Sequence, residues 1–203
     1  MIEAVVEGAP DAAAIRAIAS HVGLPIATVY IRNKPQILLG LSGFNQAARF
    51  WPWLVLIDLD SSAPCAPDFV ATHLQTPSRH MRLRVAVREL EAWLMSDRRR
   101  MADFLGVPET RIPLEPETLA DPKQALVNIA RHSSRRLIVE GMVPRPDSSG
   151  DTGPLYWSLL VEFITQTPHQ WRVGVAAQAA PSLSGCIAAA RSLRRSLHSI
   201  MRA

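Results

Sequence analysis

A chain of 203 residues with 48% hydrophobic and 20% charged side chains can build one sizeable core with an appendage and needs no disulfide or metal staples. No apolar run approaches the roughly 20 residues of a membrane helix, and Glu3 and Glu7 stand where a secretory leader would be basic and then apolar, so the expectation is a cytoplasmic protein with no membrane partner. The net charge of +4 rests almost wholly on arginine and is uneven: residues 1–66 hold four basic against five acidic side chains, residues 122–203 ten against four, and such asymmetry suits a polyanion held near a metal site.

Up to residue 105, β-rich runs alternate with helical patterns. IEAVVEG reads as a first strand, Asp11 to about Val22 as a helix, ATVYI as a second strand and the stretch near Gly43–Phe50 as a helix. WLVLIDLD is continuously apolar until Asp58, as a central parallel strand should be, and LRVAVR follows as a fourth strand. Strands separated by helices imply an α/β fold, a parallel sheet flanked by helices. Glu89–Phe104 has the spacing of one amphipathic helix. Beyond a proline-bearing connection, Asp121-Pro122 reads as the start of a helix to about Glu140, with further helices at Leu155–Thr165 and Ser182–Ala203. The expected organisation is a core over 1–105 and a mainly helical region over 106–203 packed on it.

Acidic residues fall at the carboxyl ends of strands, where open α/β sheets bind ligands. Glu7 closes the first strand, Gly8 permits a tight turn, and Asp11 follows at the start of a helix, where capping is its ordinary role. Asp58 and Asp60 close the third apolar run, and on an extended backbone their side chains project together with Leu59 opposite. Carboxylates gathered at a sheet edge repel one another, and the usual remedy is a hard divalent cation, Mg²⁺ or Mn²⁺.

VVEGAPD followed by LVLIDLD resembles the hhhEGxxD and hhhhDxD pattern of the Toprim domain, a Rossmann-like metal-dependent fold of primases, topoisomerases and nucleases of the overcoming-lysogenization-defect class. AVRELEAWLMSDRRRMADFLGV and DPKQAL resemble a narrower group of bacterial Toprim-related proteins, some encoded near defence ATPases. The resemblance implies that Glu7 binds metal or acts as general acid/base, that Asp58 and Asp60 hold Mg²⁺, and that Asp11 joins them. It implies a further acid at Glu89 or Glu91, Glu91 fitting ExEAWL better, and offers Lys123 as the group stabilising the scissile phosphate.

The departures narrow the function. Tyr30 and Tyr156 are the only tyrosines for a topoisomerase nucleophile, zinc and nucleotide-binding modules of a primase are missing, and without a P-loop any ATPase activity belongs to a partner. The ArgArgArg run at 98–100 reads as a solvated helix face or as a contact to a phosphate backbone. The expectation is a Mg²⁺-dependent phosphodiester hydrolase, a nuclease acting on nucleic acid with DNA ahead of RNA, in bacterial defence. The alternative is a non-catalytic Toprim-like subunit of a defence or DNA-processing complex, and the oligomeric state stays open.

Overall fold

In the computed structural model, which describes residues 1–166 and 168–200, Ile2–Val6 forms strand β1 with every side chain but that of Glu3 buried. Helix α1, Ala9–Val22, begins with Pro10 in its first turn, so Asp11 lies inside that turn and the N-cap is Gly8. It ends at Gly23, whose φ of 66° is left-handed and costs glycine little. Strand β2 is Ile26–Ile31, and helix α2 spans Lys34–Ala47. This helix starts well before the expected Gly43 because Asn33 and Gln36 form a reciprocal capping box ahead of Pro35. Strand β3 is Trp53–Asp58, the short helix α3 is Ala66–His73 and strand β4 is Met81–Ala86.

All strand pairs are parallel and the order is β2-β1-β3-β4. Alternation along the strands sorts side chains to two faces. Val5, Val55, Ile57, Leu83 and Val85 pack with Ile37 and Leu41 of α2 and Phe69 of α3. Ala4, Val6, Leu54 and Leu56 have the opposite parity and are also buried. On β4 that parity brings Arg82, whose Nη2 donates to Ser192 Oγ at 3.0 Å on helix α10, Pro181–Ile200. Helix α10 packs on β4 and α1. The four side chains Leu54–Ile57 are at most 1% exposed, and at about 1.5–3 kcal/mol each they anchor β3 as a central strand, as its unbroken apolar run implies.

The chain divides into two compact units, Met1–Val87 with the C-terminal segment from Pro181, and Arg88–Ala180. The sequence pattern places one division near 105; in the structure it falls after Val87, and the chain returns to the first unit through α10. The last three residues of the expected C-terminal helix lie outside the described residues. The second unit is helical: α4 Leu90–Met95, α5 Arg98–Leu105, α6 Pro122–Ala130, α7 Arg136–Met142, α8 Tyr156–Thr165 and α9 Val173–Ala176. Two single helices of the sequence reading are thus each split. The first breaks at Asp97, whose fully buried carboxylate accepts from the backbone N–H, Nε and Nη2 of Arg172. The second breaks where Ser133 Oγ turns back to Leu105 O. Gly153 packs against the backbone of Gly141–Val143 so closely that a Cβ would collide with it.

Candidate functional site

The strand order reverses direction between β1 and β3: β2 follows β1 on one side, and β3 and β4 continue on the other. The crevice outside the carboxyl ends at such a switch point is where open α/β sheets take their ligands. Glu7 leaves β1 there and Asp58 ends β3 there. The two are joined, the Asp58 backbone N–H donating to Glu7 Oε1 at 2.8 Å. Asp11, 7% exposed, belongs to the same edge, and its Oδ2 would lie 3.1 Å from a Cβ on Gly8. A residue other than glycine at this N-cap would crowd that carboxylate.

Asp60 takes a different course from the one expected. The strand stops at Asp58, and Asp60 has a φ of 49°, the one left-handed non-glycine residue among the described residues. Ser62 N–H closes the turn onto Leu59 O at 3.1 Å, which ends the two-residue alternation and turns Asp60 outward while Leu59 stays in the core. Asp60 Oδ2 accepts from Lys34 Nζ at 2.8 Å. The same ammonium reaches Asp58 O at 2.5 Å, Leu59 O at 3.3 Å and Ser62 Oγ at 3.0 Å, and stands 5.4 Å from the Phe69 ring centroid. Lys34 was not singled out in the sequence. Its signal was its place directly after β2, at a third strand end of the same edge.

The remaining candidates lie in the second unit. Glu91 is 2% exposed and accepts from the Tyr156 hydroxyl at 2.9 Å. Burial pushes its carboxyl above the ordinary range, with Lys123 opposing and Glu89 adding to the shift. Burial pushes the Tyr156 hydroxyl up as well, helped by Glu91. Glu89 accepts from Lys123 twice, from Nζ at 3.1 Å and from the backbone N–H at 2.9 Å, and Lys123 Nζ lies 5.5 Å from the Trp157 ring centroid. Lys123 is therefore paired with the acid that the sequence weighed against Glu91.

Among the described residues, no group of three or more His, Cys, Asp or Glu side chains stands assembled for a metal ion. Two arginines of the 98–100 run have backbone partners, and Arg99 is exposed. Arg98 donates to Ile112 O and Glu109 O, and Arg100 to Pro168 O. In the first unit, Arg191, Arg194 and Arg195 of α10 line one cleft with His21 and His198, and Arg194 Nη1 caps the last turn of α1 through Val22 O at 2.8 Å. Among the described residues that line it none is acidic, and the cleft lies beside the start of β2, at the opposite edge of the sheet from Glu7 and Asp58. Among the described residues no helix is long and apolar enough to cross a membrane. No family model matches the chain, and the comparisons with curated proteins and with solved structures found no match.

Proposed function

We propose that the chain is a Mg²⁺- or Mn²⁺-dependent phosphodiester hydrolase of Toprim type acting on nucleic acid in the cytoplasm, in a defence setting. The observation that carries this reading is the joined pair Glu7 and Asp58 at the β1/β3 switch point. Mg²⁺ is commonly held by one or two carboxylates, with water and substrate phosphate oxygens completing its shell, and two hard carboxylates at one crevice fit that chemistry. Asp60, engaged by Lys34, and Glu91, engaged by Tyr156 inside the second unit, do not fit it as they stand.

Glu7 and Asp58 would hold the ion, which when bound supplies charge neutralisation at the phosphate and lowers the pKa of a water. Glu7 orients that edge through the Asp58 N–H and is the group for proton transfer. Asp11 adds negative charge beside it, in the first turn of α1. The α1/α10 cleft, with three arginines and two histidines, supplies a sequence-independent grip on phosphates. Lys123 serves a phosphate only by exchanging its Glu89 partner.

The test is cleavage of single- and double-stranded DNA and RNA by the purified chain with Mg²⁺ or Mn²⁺, beside Asp58→Ala. Metal-dependent cleavage lost in Asp58→Ala supports the reading; cleavage equal in both proteins, or none in either, overturns it. The second reading, a non-catalytic subunit of a defence or DNA-processing complex, is favoured by the engagement of Asp60 with a lysine, and an inactive chain that still binds nucleic acid supports it.

A further inference from the structure

The four oxygens around Lys34 Nζ are two backbone carbonyls, one carboxylate and one hydroxyl, at 2.5–3.3 Å. That donor set is the one a hard divalent cation takes, Ca²⁺ above all, since Ca²⁺ accepts carbonyl oxygens in flexible geometry at about 2.3–2.6 Å. The ammonium has three N–H groups for these four acceptors, and its side chain is only 14% exposed.

Lys34 is also the first residue of α2, behind the Asn33 capping box. A cation there opposes the helix dipole, whose positive end favours acids. The placement is therefore explained by what the ammonium binds and not by the helix it begins. The turn itself needs a cation: it points two carbonyls and a carboxylate to one spot and holds Asp60 in a left-handed conformation.

We infer that Lys34 is the resident cation of the Asp58–Ser62 turn, filling with its own ammonium the position a divalent ion would occupy, so that Asp60 is a ligand of lysine and not of metal. The inference does not depend on catalysis. It divides the Asp-Leu-Asp motif, leaving Asp58 to the switch-point crevice through its side chain while its carbonyl, with Asp60, belongs to Lys34. Removing the ammonium turns the same oxygens into a divalent cation site.

The experiment is isothermal titration of the full chain with Ca²⁺ and with Mg²⁺ for wild type, Lys34→Met, Asp60→Asn and the double variant. Lys34→Met is expected to bind Ca²⁺ at least tenfold more tightly than wild type, the double variant to lose that gain, and Asp60→Asn alone to change wild-type metal affinity less than twofold. A tenfold loss in Asp60→Asn alone makes Asp60 a metal ligand beside Lys34 and overturns the inference, as does a Lys34→Met protein with no gain. If Lys34→Met does not fold, the ¹⁵N resonance of the wild-type Lys34 ammonium decides: unmoved at 10 mM Mg²⁺ it supports the inference, and displaced it overturns it. Glu7→Gln is titrated alongside. Its effect on wild-type metal binding speaks to the proposed hydrolase alone, so the two ideas fail separately.

Discussion

Glu7 Oε1 accepts the backbone N–H of Asp58 at 2.8 Å, so the acid that ends β1 fastens the last residue of β3. The bond satisfies a donor at the point where the ladder to β1 has run out. Glu7→Ala removes the acceptor and is expected to cost about 1–3 kcal/mol. Glu7→Gln keeps an amide oxygen there and should cost under half as much. Urea unfolding of the three proteins checks this, and equal losses in both variants would show that the charge matters and the bond does not.

In the second unit, Tyr156→Phe removes the hydroxyl that donates to the buried Glu91. A buried acceptor deprived of its donor costs about 1–3 kcal/mol, and the double variant with Glu91→Leu should recover part of that loss because both polar groups are then gone. Thermal denaturation of the single and double variants measures the recovery, and strict additivity would mean that the pair is not coupled.

Asp97 is fully buried and held by three groups of Arg172. Removing one partner of a buried pair costs about 3–5 kcal/mol. The Arg172 side chain is 42% exposed, so solvent screening brings the expectation for Arg172→Ala down to about 2–3 kcal/mol. Far-ultraviolet circular dichroism against urea gives the value, and a loss under 0.5 kcal/mol on the order set for surface pairs contradicts it.

His80 ends the loop before β4, with Nδ1 buried and without a hydrogen-bond partner among the described residues. Burial, and then Arg79 and Arg82, lower its pKa from the ordinary 6.5. Between the lowered value and 6.5 the unfolded chain binds more protons than the folded one, so stability is full above 6.5 and falls as the pH drops through that window. His80→Gln should remove this part of the acid sensitivity. Unfolding free energies of the two proteins from pH 7.5 to 5 test it, and parallel curves would assign the sensitivity elsewhere.

Strand periodicity made the sheet readable because β1 and β3 are buried from both sides, which their apolar runs say without tertiary information, while β4 alternates Arg82 and Arg84 with buried apolar residues. The breaks in the later helices were hidden for the opposite reason. Asp97 sits in a pattern that continues helically on either side, and what stops the helix is Arg172, far away in sequence. The acids at the strand ends were legible as strand ends, Glu7 and Asp58 among them. The course of Asp60 was not, since its left-handed turn and its lysine partner arise from Lys34, an element away. The partners of the arginine run were not legible either: Arg98 and Arg100 donate to carbonyls of their own unit, and the cleft that gathers arginine draws on α10 and the end of α1.

Helix α10 covers β4 and α1 yet is the last of the described helices, separated from β4 by all of the second unit. A ribosome adding about 5–20 residues per second finishes β4 and then spends roughly 5 to 20 seconds on the intervening segment before α10 emerges. During that interval β4 waits without the helix whose Leu183, Ile187 and Leu193 are buried in the finished protein. The helical second unit is contiguous and can close first. A chain released from the ribosome after Ala180 should therefore be protease-resistant over Arg88–Ala180 and cleavable before it, a polarity opposite to the order in which the residues are made.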